Sequence, residues 1–320
     1  MPTSPAAGPV PGDDPVAALE AASWALAAMI ATMRDALTDP VADVLAAAPD
    51  RTAVLEAAGL VTRDGDELTP HPSLHLGAGP TAPSAVAARL GSLRQAVSAA
   101  AREGNDRTNE GWAGHDDEVL LSQGRASAAT GHALATKIVP RLPGLAGRLE
   151  TEGARVLDVG TGVAALAVAL AQAFPRAQIL GIDIVDRVLD LARRELAGAG
   201  EVAGRVSVRR LDVAELAEQA AYDLVWLPAP FLTETALSAA LPRLIDALRP
   251  GGWIVAGTNP AAEDALRLAV ARWTAVLHGG NAYDTDRMTA TLTSSGLREI
   301  QRFPTAAGGP VLVAARRPES

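Results

Sequence analysis

Hydrophobic residues in the first part of the chain recur at helical spacing. Residues Met1–Asp14 are rich in proline, glycine and small side chains and show no periodicity, so we expect them to be a disordered lead-in. From Pro15 to Leu37 the apolar positions follow one helical face, which predicts an amphipathic helix. Two shorter helices are predicted at Asp39–Ala47 and Arg51–Ala58. This part of the chain is therefore expected to be mainly helical.

A β-hairpin is predicted directly after these helices. Asp64 and Gly65 form the expected turn between two short strands. The order helix, helix, hairpin is typical of a winged-helix module. Between Asp39 and His75, however, acidic residues outnumber the basic residues Arg51 and Arg63, and DNA binding normally needs a basic face. We therefore interpret the module as structural.

The second part of the chain alternates short, β-branched apolar runs with helical patterns, which indicates a parallel sheet covered by helices. The predicted parallel strands are Arg155–Val159, Gln178–Ile182, Val206–Leu211, Tyr222–Leu227 and Trp253–Gly257. The predicted helices are Leu120–Ile138, Val163–Ala173, Arg187–Ala197, Leu237–Leu248 (stopped by Arg249, Pro250 and Gly251), Asp264–Leu277 and Arg287–Ser294. The last two runs, Arg298–Phe303 and Pro310–Ala315, lie too close for a crossover helix, so we expect an antiparallel hairpin.

A glycine loop follows the first of these strands. Gly160 and Gly162 remove side chains where a ligand must approach the backbone at the start of a helix. The next strand ends in Asp183, about twenty residues further on, where an acid can hydrogen-bond ribose hydroxyls. The alternative is that Asp183 caps the helix that begins near Val185. The spacing favours a site for a nucleotide-like ligand.

Asp158 separates two cofactor classes, because an acid before the first glycine would repel a pyrophosphate but suits the cationic end of S-adenosylmethionine. The run from Asp158 to Gly162 resembles the acid-x-Gly-x-Gly motif of class I S-adenosylmethionine-dependent methyltransferases, although Ala164 stands where a third glycine is usual. The resemblance continues through GIDIVDRVLDLARREL, VSVRRLDVAEL, YDLVWLPAPF and ALRPGGWIVAG. It covers about Arg155 to Arg317.

This resemblance, together with the helical first part, points to small-molecule O-methyltransferases. It implies an α/β fold: a Rossmann-like, seven-stranded methyltransferase sheet with a terminal antiparallel hairpin, preceded by a mainly helical, winged-helix-like domain. The implied domains are a lead-in (1–14), a dimerisation and lid domain (15–110), linking helices at the pocket and cofactor entrance (111–150) and the cofactor-binding domain (151–320). A homodimer is expected.

The resemblance also implies which residues bind S-adenosyl-L-methionine. Asp183 would hold the ribose, and Asp212 would accept a hydrogen bond from the adenine amino group while the backbone of Val213 contacts the ring. Gln123 and Arg125 would lie near the methionine carboxylate, although Arg125 can equally be a surface arginine. The complete expected set is Asp158, Gly160, Gly162, Asp183, Ile184, Asp212, Val213, Gln123 and Arg125.

Aromatic residues and histidines are the candidates for acceptor binding and catalysis. Trp112, Trp226 and Phe231 are expected in the pocket wall, with interdomain packing as the alternative for Trp112. Plant-type O-methyltransferases place a histidine after strand five, and the nearest equivalent here is His278, with His115, Tyr283 and Asp284 as alternatives. An imidazole that titrates near neutrality suits a general base. Each of these residues can also be an ordinary loop residue.

Composition narrows the function further. The chain has 320 residues, no cysteine and a net charge of −9, which excludes disulfides and thiolate metal sites and disfavours nucleic-acid partners. The sequence has no pair of acidic residues at a strand edge, so we expect no metal site. It shows neither a signal peptide nor an uninterrupted apolar span of about twenty residues, so we expect a cytoplasmic protein without a membrane partner. The expected function is methyl transfer to a small molecule, such as a hydroxyl of a bacterial-type secondary metabolite. The alternatives are a cofactor-binding protein that no longer methylates and a nicotinamide-dependent oxidoreductase.

Overall fold

The contacts along the chain separate into two compact units, Met1–Leu90 and Gly91–Ser320. A computed structural model describes residues 14–75, 81–101, 111–259, 264–281, 283–305 and 311–319. The predicted lead-in lies outside the described residues apart from Asp14, which accepts a hydrogen bond from the Val16 amide and caps the first helix. The predicted domain boundary at residue 110 also lies outside them and stays a prediction.

The described part of the first unit contains three α-helices, a hairpin and the beginning of a fourth α-helix. These elements are α1 Pro15–Asp35, α2 Val41–Ala47, α3 Pro49–Ala57, β1 Val61–Asp64, β2 Glu67–Pro70 and α4 Thr81–Ala101, which continues into the second unit. Their core consists of Met33, Leu45, Leu55, Val61, Leu74 and Val86. The predicted order of helix, helix and hairpin is confirmed.

The hairpin turn differs from the prediction by one residue. Asp64 pairs with Glu67 as the last residue of β1, so the turn consists of Gly65 and Asp66. Gly65 has a φ of 58°, and a two-residue hairpin turn needs this left-handed conformation at its first position. Glycine adopts this conformation without the steric cost that a side chain brings. Gly65 therefore suits the first position of the turn, and Asp64 pairs with Glu67 at the end of the hairpin.

Helix α1 is largely exposed in its first three turns. The exposed fractions are 60% for Val16, 67% for Leu19 and 74% for Trp24, and burial begins only near Ile30. By length and composition alone, α1 is long and apolar enough to cross a membrane. The expectation that no stretch approaches such a span is therefore wrong for α1. Its many alanines raise the hydropathy without supplying large side chains.

Helices of the second unit flank a seven-stranded sheet. They are α5 Asp117–Ala133, α6 Leu145–Leu149, α7 Ala165–Ala173, α8 Asp186–Ala197, α9 Glu234–Ala247, α10 Ala265–Leu277 and α11 Thr285–Ser294. The predicted helix Leu120–Ile138 begins earlier and gives way after Ala133 to a π turn at Leu134–Ile138. Asp117 and Glu118 in the first turn favour the earlier start, because acids interact well with a helix N-terminus.

The sheet has the strand order β5-β4-β3-β6-β7-β9-β8. Its strands are β3 Arg155–Val159, β4 Gln178–Asp183, β5 Val206–Arg210, β6 Tyr222–Pro228, β7 Leu248–Gly257, β8 Arg298–Pro304 and β9 Val311–Arg316. Strands β3 to β7 are parallel, and β9 pairs antiparallel with both β7 and β8. The predicted parallel sheet with a terminal antiparallel hairpin is confirmed. Strand β9 lies between two strands that precede it in the chain.

The predicted helix end before Arg249, Pro250 and Gly251 is confirmed, but the predicted start of the next strand at Trp253 is wrong. Helix α9 ends at Ala247, and these residues already belong to β7. The pairing of β6 with β7 is irregular between Tyr222 and Leu224, so the extra residues of β7 bulge there. Pro250 and Gly251 suit a bulge as well as they suit a helix end, and the sequence alone does not distinguish the two.

Candidate active site

A cavity of about 680 Å³ opens at the carboxyl ends of the parallel strands. Ligands of α/β proteins bind at this edge, and the volume is typical of a small-molecule site. Residues from the ends of β3, β4 and β5 line one part, and aromatic side chains from more distant segments line another. We call these two parts the cofactor end, lined by Gly160, Gly162, Asp183 and Val213, and the acceptor end, lined by Trp112, Phe231 and His278.

The glycine loop of the cofactor end is held by the carboxylate of Asp183. Gly160 and Gly162 have φ values of 61° and 57°, which glycine adopts readily. The Gly162 amide donates to Asp183 Oδ2 at 3.1 Å, and the Val185 amide donates to Asp183 Oδ1 at 3.0 Å. Asp183 therefore joins β3, β4 and the start of α8, and it also lines the cavity. Burial raises the pKa of Asp183, and the backbone donors oppose this shift.

Asp158 lies beneath the glycine loop and does not line the cavity. Its side chain is 1% exposed and accepts a hydrogen bond from Thr161 Oγ1 at 2.7 Å. Burial raises the pKa of Asp158 to about 7, the Thr161 hydroxyl opposes the shift, and the nearby charge of Asp183 adds to it. The structure therefore gives Asp158 contact with the loop, whereas the sequence predicted contact with the cofactor.

Ala164 occupies a conformation that normally belongs to glycine. Its φ is 64°, and it is fully buried at the residue before α7. Its amide donates to the Thr161 carbonyl at 3.0 Å, which closes the turn. The backbone therefore keeps the shape that a third glycine would give, at a steric cost on the order of 1 kcal/mol.

Other predicted cofactor residues divide into those that line the cavity and one that does not. Ile184, Asp212, Val213 and Gln123 line it. Arg125 instead binds Glu195 of α8 through two hydrogen bonds of 3.0 and 2.9 Å. The helical rotation past Gln123 and Gly124 carries Arg125 away from the cavity. The structure therefore supports the surface-arginine alternative for Arg125.

The acceptor end is built around Trp112. The ring of His278 stacks on Trp112 with a centroid distance of 4.4 Å, and Phe231 meets the same indole edge-on at 5.4 Å. His115 lies behind this pair, 5.3 Å from Trp112 and 4.9 Å from His278 between ring centroids, and is 2% exposed. Residues far apart in the chain thus form one aromatic cluster with two imidazoles.

His115 is tied to the start of α8 through its backbone. Arg187 donates a hydrogen bond from Nη2 to the His115 carbonyl, and its Nε forms an ion pair with Asp117 at 3.0 Å. Because α8 begins three residues after Asp183, this contact links the two ends of the cavity. His115 itself is buried, and His278 is the histidine that lines the cavity.

Two predicted site residues lie in the core and not in the cavity. Trp226 is 7% exposed and packs in the same core cluster as Leu224, because alternate residues of β6 point to opposite faces of the sheet. Tyr283 is 6% exposed in the other core cluster, and the Arg287 guanidinium lies 4.0 Å from its ring centroid. The predicted roles of Trp226 in substrate binding and of Tyr283 in catalysis are therefore wrong for this structure.

Sequence analysis missed two residues that shape the site. Thr161 binds Asp158 from inside the glycine loop, and its position in the motif was the available signal. Asn281 is buried and binds the segment after β6, for which a polar residue after two glycines was a weak signal. No group of three or more histidine, aspartate or glutamate side chains that could hold a metal occurs among the residues that the structure describes.

Comparison with known proteins identifies the class of this fold. Residues 156–252 match the methyltransferase domain family. An O-methyltransferase family protein from Burkholderia thailandensis superposes with a TM-score of 0.60 at 16% identity over 98% of this chain and 100% of that one. Human N-acetylserotonin methyltransferase, solved in complex with SAM, superposes with a TM-score of 0.60 at 18% identity over 97% of this chain and 100% of that one.

Curated relatives match over shorter stretches. The ubiquinone biosynthesis O-methyltransferase of Bordetella avium is 36% identical over 123 residues, which is 36% of this chain and 45% of that protein. The chain spans between 28% and 50% of the length of the curated relatives that it matches. The fold and the matched domain are those of S-adenosylmethionine-dependent methyltransferases.

Proposed function

We propose that this protein transfers a methyl group from S-adenosyl-L-methionine to a hydroxyl of a small molecule. The observation that carries this proposal is the single cavity that joins the glycine loop and Asp183 to the cluster of Trp112, Phe231 and His278. When bound, the cofactor supplies an electrophilic methyl group on a sulfonium. The protein must then hold an acceptor in line with that methyl group, which is catalysis by proximity.

The cofactor end fits such a ligand. Asp183 keeps both carboxylate oxygens fixed by backbone amides, so it can accept hydrogen bonds from ribose hydroxyls without reorganising. Asp212 is held by the Ala214 amide at 2.9 Å and is the proposed acceptor for an adenine amino group, beside the Val213 backbone. The Gln123 amide, which accepts a hydrogen bond from Gln95 at 3.0 Å, is the proposed partner of the methionine carboxylate.

His278 is the proposed general base of the acceptor end. The segment Ala229–Phe231 after β6 carries only apolar side chains, so it offers the cavity no group that can take a proton. His278 lines the cavity from the end of α10, and an imidazole matches a hydroxyl proton at neutral pH. Trp112 and Phe231 would bind the body of the acceptor through its apolar surface.

Two alternatives compete with this proposal. A nicotinamide-dependent oxidoreductase is disfavoured because β9 is antiparallel between β7 and β8, unlike the ordinary dinucleotide-binding sheet. A cofactor-binding protein without methylation keeps the same cofactor end and differs only in the chemistry at the acceptor end.

Mass spectrometry separates these alternatives. We expect protein denatured directly after purification to release S-adenosylmethionine or S-adenosylhomocysteine, and a nicotinamide cofactor in its place would contradict the proposal. Incubation with S-adenosylmethionine and a panel of phenols, aliphatic alcohols and amines should yield a product heavier by one methyl group, with a phenol or an alcohol preferred. A panel without any product, from protein that binds S-adenosylhomocysteine, would favour the cofactor-binding protein.

We also propose that the protein is a homodimer held together by α1. A helix that exposes Val16, Leu19 and Trp24 on its surface needs a partner, because contiguous apolar surface of this kind is unusual on a monomer. Light scattering should report a dimer for the full chain and a monomer or aggregate for a variant that lacks residues 1–38. An unchanged dimer would place the interface elsewhere.

A further inference from the structure

Asn281 uses its whole side-chain amide to connect separate segments of the chain. It is 4% exposed, and its Nδ2 donates to the Ala229 carbonyl at 2.6 Å and to the Leu232 carbonyl at 2.8 Å. Its Oδ1 accepts a hydrogen bond from the Tyr283 amide at 2.7 Å. Because two partners are acceptors and one is a donor, only one orientation of the amide satisfies all three.

The backbone around Asn281 packs directly against the segment after β6. A Cβ atom at Gly280 would overlap the Pro230 carbonyl, so the two backbones approach as closely as glycine permits. The Asn281 amide donates to the same carbonyl at 3.3 Å. From the other side, Asn259 Nδ2 donates to the Asn281 carbonyl at 2.9 Å. The polypeptide is therefore fixed at Asn281 from several directions.

Both connected segments carry a ring of the acceptor end. Phe231 lies between Ala229 and Leu232, whose carbonyls bind Asn281. His278 lies three residues before Asn281 in the other segment, and both rings contact Trp112. The Asn281 amide is thus the buried polar link between the two walls that hold Trp112.

We propose that Asn281 is a positioning residue, which fixes the loop after α10 against the segment after β6 and thereby sets where the His278 imidazole stands in the cavity. This inference rests on the proposed role of His278 as the base. Productive geometry must be held to within roughly 0.5 Å, and a displacement of about 1 Å can lower a rate on the order of a hundredfold. Asn281 supplies this constraint without touching the acceptor.

Asn281→Asp is the most informative substitution, because it preserves shape and removes only the two donor bonds. A carboxylate oxygen then faces the carbonyls of Ala229 and Leu232, and the repulsion separates the two segments. The matched control is Thr258→Val, also isosteric, which removes the hydrogen bond from the buried Thr258 hydroxyl to the Val311 carbonyl at 2.7 Å. Both variants lose a buried polar contact, but only Asn281→Asp loses one that joins the His278 loop to the segment after β6.

Histidine-labelled protein with bound S-adenosylhomocysteine provides a readout that does not need the acceptor. The chain has five histidines, and His278→Gln identifies the imidazole signal of His278 in a proton–carbon spectrum. Stacking on Trp112 displaces this signal upfield in the parent protein. We expect Asn281→Asp to lose that displacement and Thr258→Val to keep it. An unchanged His278 signal in Asn281→Asp would overturn the proposal, as would an equal change in the control.

Kinetics with an acceptor from the screen separates this inference from the role of His278. Asn281→Asp should lower kcat roughly tenfold or more with the KM for S-adenosylmethionine unchanged, and it should add nothing in a His278→Ala background. A further loss in that background would overturn the positioning role. If His278→Ala alone leaves kcat intact, the base proposal fails, and the spectrum still decides whether Asn281 positions the ring. If Asn281→Asp does not fold, Asn281→Ser decides by the same spectrum.

Discussion

The two ends of the cavity are built in opposite ways. At the cofactor end, backbone amides and carboxylates from Asp158 to Val185 make the contacts, and nearly all partners lie within one strand, loop and strand unit. At the acceptor end, the side chains of Trp112, Phe231 and His278 meet from three separate segments, and Trp112 precedes the other two by more than a hundred residues. The comparison teaches that a local motif determines the geometry of the cofactor end, whereas tertiary packing determines which side chains meet at the acceptor end.

The largest expected effect concerns Asp158, the buried acid beneath the glycine loop of the cofactor end. The pKa of Asp158 is about 7 in the folded protein against 3.8 for the ordinary carboxyl, so between these values the folded state holds a proton that the unfolded chain lacks. This contribution is fully present below about pH 4 and is lost as the pH rises to about 7. Relative to the parent, Asp158→Asn should therefore gain on the order of 4 kcal/mol in unfolding free energy over this range.

Urea denaturation of both proteins from about pH 4 to about pH 8 measures this difference. Asp212→Asn is the control, because it removes an exposed acid beside the same cavity, so a change that both variants share does not come from burial of Asp158. An Asp158→Asn curve parallel to the parent would show that burial of this acid does not shift its titration.

The next effect tests the acceptor end. His278→Ala should lower kcat on the order of a hundredfold with the KM for S-adenosylmethionine unchanged, because a general base acts on the acceptor proton and not on cofactor binding. His132→Ala is the matched control, since that ring binds the Ala128 carbonyl within α5 at 2.7 Å. A loss of less than about fivefold would leave proximity as the main source of catalysis. The acceptor end would then contribute binding and no general base, as the cofactor end does.

The cofactor end should respond in affinity rather than in rate. Asp183→Asn should weaken S-adenosylhomocysteine binding by about 1.5 to 3 kcal/mol, the scale for charge-assisted hydrogen bonds. The reason is that an NH2 group replaces one of the two carboxylate oxygens that accept hydrogen bonds from ribose hydroxyls and backbone amides. Calorimetry measures this change, with Asp186→Asn as the control because Asp186 is an exposed acid in the first turn of α8. Equal affinities of Asp183→Asn and the parent would remove Asp183 from the cofactor site.

The smallest effect is expected at Ala164, in the loop that departs from the glycine motif. Replacement by glycine relieves a left-handed backbone, worth roughly 1 kcal/mol, and removes a buried methyl group, worth about 0.8 kcal/mol. Because these terms oppose each other, Ala164→Gly should change the unfolding free energy by less than about 1 kcal/mol in thermal or urea denaturation. A larger destabilisation would show that packing of the Ala164 methyl outweighs backbone strain.

The same contrast explains how much the sequence could predict. Strand, glycine loop and acid follow one another in the chain, so the sheet, the terminal hairpin and the position of Asp183 beside the loop are predictable from periodicity and spacing. The family resemblance adds Asp212, Val213 and Gln123, which line the same cavity. Asp158 and Arg125 are the exceptions, because a strand residue before the loop is buried and a helix residue turns with its helix. Neither orientation follows from the residue type.

At the acceptor end the sequence predicts candidate residues one by one but does not predict that they contact one another. These residues are Trp112, His115, Phe231 and His278. Asn281 and Gly280 join the segments that carry His278 and Phe231, and their contacts with the segment after β6 have no periodic signal in the sequence. Trp226 is predicted to line the cavity because it is an aromatic residue near the carboxyl end of β6, but its side chain faces the core. The face of the sheet on which a strand residue lies depends on the register of that strand with its neighbours. This register depends on the packing of the whole sheet and not on the sequence of one strand.

The insertion of β9 between β7 and β8 has a consequence for biosynthesis. A ribosome delivers β8 before β9, and among the described strands β8 pairs with β9 alone. Until residues Val311–Arg316 have left the exit tunnel, β8 lacks the strand with which it pairs. During that time one edge of β7 is also unpaired and can bind strands of other nascent chains. Completion of this sheet must therefore wait for translation of its last strand.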